Sequence, residues 1–179
     1  YILRDYIGHG ITGILYAISK KQGYMKMHSM FSSVIASAFT VGFGGSVGLE
    51  GPSVASGAGI GSNIGRLFRL TFKQKIILIG CGSAGAIAAI FKAPIAGIVF
   101  AFEVIMLDLT TLSIIPILIA AASAALTSFV FLGQDVIYPI DLKTKFLVSR
   151  LPYYLVLGVF CGFISVYLSS LDYFLQLHP

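Results

Sequence analysis

Apolar positions fall in blocks along the chain rather than in short alternating runs. Ile11 to Ile18 is a brief block behind Gly8-His9-Gly10-Ile11-Thr12. Met30 to Gly45 follows, then Pro52 to Leu70, which is rich in small residues and only moderately apolar. Ile76 to Phe91, Pro94 to Leu107, Leu112 to Leu132 and Leu151 to Leu171 complete the series. The loops between them, residues 19–28, 66–75 and 133–150, are polar and basic. A helix crossing the hydrocarbon core upright needs about 20 residues, and only the last two blocks reach that length comfortably. The shorter blocks predict tilted or broken helices. Irregular backbone at membrane depth is tolerated only where protein or water covers it, and discontinuous helices are where transporters place their sites. The pattern predicts an all-α polytopic membrane bundle, with no soluble domain or long linker.

Composition agrees. Of the 179 residues, 57% are hydrophobic and 11% charged, with mean hydropathy +0.94, whereas soluble domains carry about 25% charged residues. Lipid is therefore the expected surrounding. With Trp absent, the 9 Tyr and 14 Phe supply interfacial anchors. The net charge of +5 resides in short loops, where it sets membrane orientation; no nucleic-acid-binding pattern accompanies it. Cys81 and Cys161 lie in apolar runs at a spacing that fits no metal site, and read as small buried hydrophobes. His9, His28 and His178 are too far apart to share a metal, so neither a metal nor a cofactor is expected. No nucleophile–base pair or metal constellation points to an enzyme. The chain starts at Tyr1 and reads as a segment of a longer protein. Small residues at helical spacing, Gly57/Gly61/Gly65 and Gly82/Ala86, predict close helix packing.

The chain has only two glutamates, Glu50 and Glu103, both in or beside strongly apolar sequence. Glu50 lies in Gly48-Leu49-Glu50-Gly51-Pro52. Proline suits a first helical turn, so a helix is expected from about Pro52 towards Leu70, with Glu50 at its N-terminus. Unpaired N–H groups and the macrodipole make such an end an anion site. Gly48 and Gly51 are expected to turn amides towards an anion through positive φ. Two readings stand side by side: a carboxylate that competes with a permeating anion, and a carboxylate that caps a helix at the membrane surface. Gly8-His9-Gly10 upstream could aim backbone N–H groups in the same way; alone it is an ordinary loop. The excess of N–H donors over acids favours an anion over a cation.

The order GHGIT, GLEGP, SNIGR and FKAPIAGIVFAFE resembles the CLC family of chloride channels and proton-coupled chloride antiporters. Members carry G-S-G-I-P, then G-K/R-E-G-P, then G-x-N-I-G-R, then F-x-A-P-L/I-A-G-I/V-x-F-x-x-E; the last two blocks match closely, and the resemblance as a whole covers essentially the whole chain. The resemblance implies a homodimer in the membrane, with one anion pathway per subunit built from two inverted repeats. Residues 1–179 would then be part of that transmembrane domain: the back of the first repeat and the first long helix of the second. It implies that Glu50 is the gating glutamate, that amides of Leu49, Glu50 and Gly51 line the outer anion site, and that Gly8, His9 and Gly10 belong to the turn lining the inner and central sites. The segment from Pro94 to Met106 and the helix after it resemble part of the dimer interface. The transported ligand would be chloride or a similar anion, the membrane the plasma (inner) membrane, and the family type a voltage-gated channel. His9 stands for the family's serine, Thr12 for its proline and Leu49 for a basic residue. Fluoride-selective relatives also depart there, so fluoride stays open.

Glu103 matches the first of two successive acids in the family's antiporters, and Val104 holds the place of the second, which relays protons. Valine carries no proton, which favours passive conduction. A proton route through Glu103, in a chloride or fluoride antiporter, is the alternative; a helix-end carboxylate is the plain reading. Asp108, Asp135 and Asp141 read as loop acids without a role.

Overall fold

The computed structural model describes residues 10–105, 111–133 and 147–177, and no strand occurs among them. Two compact units result, Tyr1–Pro139 and Ile140–Pro179. The first holds α1 (Ile11–Lys20), α2 (Ser29–Gly42), α3 (Glu50–Leu67), α4 (Phe72–Phe91), α5 (Pro94–Phe100), a π-helical turn (Ala101–Ile105) and α6 (Thr111–Leu132). The second holds a 3-10 turn (Val148–Arg150) and α7 (Leu151–Leu177). Among the described residues three helices are long and apolar enough to cross a membrane, not two: Phe72–Phe91 joins the two expected ones. The extra length comes from a capping box. Gln74 Oε1 accepts from the Thr71 N–H at 3.1 Å and pairs with its hydroxyl at 2.9 Å, which starts α4 ahead of the apolar run.

In the first unit α4 is the central helix, packed against α3, α5 and α6. Its contact with α3 is made through missing side chains. A Cβ on Gly57 would run into the Gly82 carbonyl, one on Gly82 into the Gly57 carbonyl, and one on Gly61 into the Leu78 carbonyl. The backbones therefore touch along the expected small-residue stripe, which is how helices gain packing contact in lipid. On the other flank α6 buries Ile117, Ala121 and Ala125 at four-residue intervals and leaves Ile115, Ile119, Leu126 and Val130 exposed, a stripe-and-face pattern suited to lipid outside and protein inside. Ser128 Oγ ties α6 to α4 by donating to the Ala89 carbonyl at 2.8 Å.

The C-terminal ends of α4 and α6 share a cation. Lys92 caps α4 in the left-handed conformation (φ 52, ψ 33). Its Nζ donates to the Gly133 carbonyl at 2.7 Å and lies 5.4 Å from the Phe129 ring centroid. A positive charge there complements the negative ends of both helices.

The loop between α1 and α2 is stitched to α3 across long sequence separations. Ser62 Oγ donates to the Gly23 carbonyl at 2.6 Å and accepts from the Met25 N–H at 3.1 Å. Ser56 donates to the Met30 carbonyl, and Arg66 donates to the Tyr24 hydroxyl at 3.2 Å while lying over its ring. Cys81 is half-buried, but Cys161 is exposed on α7, contrary to the expectation of two buried thiols. No residue of α7 with a described side chain is buried, so its apolar surface faces outward all round within its own unit.

Candidate functional site at converging helix N-termini

The N-terminus of α3 forms as the sequence leads one to expect, two residues earlier than Pro52. Leu49 is the N-cap residue and provides no side-chain bond, and Glu50 opens the first turn. The first intrahelical bond runs from the Ser53 N–H to the Leu49 carbonyl at 3.1 Å. Ahead of it, Pro52 has no N–H to offer, so the amides of Glu50 and Gly51 are the first-turn donors left without helical partners. Ser53 Oγ turns back to the Leu49 carbonyl at 2.8 Å, which leaves those amides untouched.

Glycine serves this site differently from the expectation. Neither Gly48 nor Gly51 has positive φ; Gly44 (φ 84) and Gly10 (φ 61) do. Gly48 matters for room, because a Cβ there would lie 2.9 Å from Glu50 Oε2. The carboxylate thus folds back over the strand of chain leading into its own helix. Gly10 is the N-cap residue of α1, at φ 61 and ψ −122, a conformation L side chains rarely adopt. A Cβ on it would meet Gly51 Cα at 3.7 Å.

Two helix N-termini therefore converge: the cap of α1 rests on the first turn of α3, beside Glu50. Both present the positive end of a macrodipole, and Glu50 opens the first turn of α3. Glu50 and Leu49 are exposed there rather than enclosed. Gly8 and His9 lie outside the described residues, as do Met106, Asp108, Asp135 and Asp141.

Glu103 lies on the π-helical turn and is exposed, between buried Ala101 and Ile105. Wide turns of this kind gather at functional sites. Val104 packs against the apolar core. The turn touches α1, and α1 also packs on α3, through a buried face of Ile14, Ala17 and Ile18. One short helix thus links the two glutamate-bearing segments. Among the described residues no group of three or more His, Cys, Asp or Glu is placed to hold a metal.

Ser62-Asn63-Ile64-Gly65-Arg66 was singled out only as a matching block. Its Ser62, Asn63 and Arg66 hold the α1–α2 loop: Asn63 Nδ2 reaches the Met25 carbonyl at 3.5 Å, beside its bond to the Gly59 carbonyl within α3 at 2.8 Å and its contact with Met30 Sδ of α2 at 3.3 Å. The sequence signal was present, but nothing local announced a partner some 40 residues earlier.

The family profile described as "Voltage gated chloride channel" matches residues 1–177. Among curated proteins the chain is 33% identical over 153 residues to Chloride channel protein CLC-e of Arabidopsis thaliana, covering 78% of this chain and 21% of that one. It is 32% identical over 178 residues to Chloride channel protein CLC-f of the same plant, covering 91% and 22%. It is 33% identical over 146 residues to the H(+)/Cl(-) exchange transporter ClcA of Vibrio cholerae, covering 77% and 31%. The chain thus spans between a fifth and a third of the length of these relatives. No solved structure matches. The all-α build, the apolar helices and the ordered blocks agree with the profile, and the chain belongs to the CLC family, which includes both chloride channels and H(+)/Cl(-) exchange transporters.

Proposed function

We propose that this chain forms part of a chloride-conducting pathway in which Glu50 is the gate. One observation carries the reading: Gly10, at the cap of α1, lies against Gly51 in the first turn of α3, the turn that Glu50 opens. Converging N-termini bind an anion without a full positive charge, which allows it to leave again. Glu50 is the competing anion. While charged it occupies the donors; once protonated it releases them. Leu49, Glu50 and Gly51 supply amides on the outer side, and Gly8, His9 and Gly10 line the inner and central positions. The protein works as a homodimer in the plasma membrane, and the exposed apolar faces of α5 (Ile95, Val99) and α6 suit its interface. Residues 1–179 supply the back of one inverted repeat and the first helix of the next. The protein performs no covalent chemistry and needs no cofactor.

A second reading is a proton-coupled chloride or fluoride antiporter. The relative from Vibrio cholerae bears the name of an exchanger, and Glu103 stands on a π-helical turn touching α1. Val104 in place of a second acid favours the channel.

The deciding experiment holds the full-length protein in liposomes under a chloride gradient with no proton gradient. Chloride flux without proton movement supports the channel. Uphill proton movement establishes the antiporter, with a route that bypasses Val104. No chloride flux removes both chloride readings and makes fluoride the next anion.

A further inference from the structure

The two basic loops of the first unit form one surface. Ser62 bonds both Gly23 and Met25, Arg66 bonds Tyr24, and Gly23 backs onto the side chains of Ile79 and Lys75. The α1–α2 loop thereby lies against the α3–α4 loop at one end of the bundle. Lys20, Lys21 and Lys26 come from the first loop and its approach. Arg66, Arg69, Lys73 and Lys75 come from the second. Together they are seven of the chain's 12 Lys and Arg, and no Asp or Glu occurs in residues 6–49 or 51–102. Along these two loops, then, no acid is interspersed with the bases. Apolar side chains are interleaved with it: Leu67 is 77% exposed, Phe68 69%, Met27 59% and Phe72 42%. Lys21 and Arg66 lie over the rings of Tyr16 and Tyr24 at 5.5 and 5.3 Å. Phe72 also begins α4, a candidate span, so the rim sits where that helix leaves the hydrocarbon.

We propose that this rim binds the phosphate headgroups of anionic phospholipids in the adjoining leaflet. The bases reach the headgroups while the aromatic and aliphatic side chains enter the acyl boundary. The concentration of Lys and Arg at this end also makes that leaflet the cytoplasmic one. A soluble acidic protein would answer the charge but not the exposed Leu67, Phe68 and Phe72 at the helix ends. Each base near an anionic surface strengthens binding by about fivefold.

The test is thermal unfolding of the full-length protein in neutral detergent, titrated with phosphatidylglycerol or phosphatidylcholine. The midpoint should rise saturably with phosphatidylglycerol and not with phosphatidylcholine, and the rise should shrink at high salt. Combining Lys20→Gln, Arg69→Gln and Lys73→Gln should raise the phosphatidylglycerol needed by about a hundredfold, while Lys20→Arg with Lys73→Arg should leave it unchanged. Equal rises with the two lipids, or an unaltered titration in the glutamine triple, would overturn the proposal. So would a midpoint that responds to a polyglutamate peptide and not to phosphatidylglycerol. If the triple does not fold, the comparison of the two lipids and the salt dependence of the unaltered protein decide alone.

Discussion

Gly57 of α3 and Gly82 of α4 face each other so closely that a Cβ on either would enter the other's carbonyl. Backbone, not side chain, forms this contact. Both sides are fixed elements, so neither can yield as a flexible side chain would. Gly57→Val or Gly82→Val should separate the helices and cost at least about 1–3 kcal/mol, the range for overpacked cores. Thermal unfolding of the full-length protein in detergent reads this directly, and an unchanged midpoint would remove the close contact.

Glu50 opens the first turn of α3, so under the proposed gating role removing its charge should leave the first-turn amides to the anion. Glu50→Gln should conduct more anion than the unaltered protein, because a neutral amide no longer competes for the donors. Anion flux from liposomes holding either protein compares the two. Equal flux would exclude Glu50 as the gate.

Lys92 combines a strained backbone with a useful side chain. An L residue in the left-handed region costs about 1–2 kcal/mol relative to glycine, and the bond to the Gly133 carbonyl returns about 1 kcal/mol. Lys92→Ala keeps the strain and loses the bond, so its midpoint should fall. Lys92→Gly loses the bond but relieves strain at least as large, so its midpoint should hold or rise. The reverse order would mean that Lys92 does not cap α4 in this way.

Ser62 satisfies one carbonyl and one N–H of the α1–α2 loop at once. Ser62→Ala leaves both buried groups unpaired and should cost about 1–3 kcal/mol. Limited proteolysis should then cut within residues 21–28 faster than in the unaltered protein. Equal cutting rates would show that the loop is held by other means.

Much of this was legible because it is local. The apolar blocks set the helices, Pro52 set the first turn of α3, and Gly57, Gly61 and Gly82 set the packing stripe. The matching blocks carried the family. What the sequence withheld depends on distance or on backbone angle. The span Phe72–Phe91 looked short because its first turn is polar, and only the Thr71–Gln74 cap explains why it is helical. Gly48 was assigned a turn, yet its φ is ordinary and it gives space to the Glu50 carboxylate. The meeting of Gly10 with Gly51 joins residues some 40 apart, which no local pattern encodes.

The bonds from Ser62 to Gly23 and Met25 also bear on how the chain is made. As it leaves the ribosome, the turn after α1 has its peptide groups exposed for roughly 40 residues before Ser62 is synthesised. Until then those groups need water, so this turn cannot settle into lipid on its own. The α1–α2 turn therefore gains its protein partners only once α3 has emerged, and water at the membrane surface serves its backbone until then.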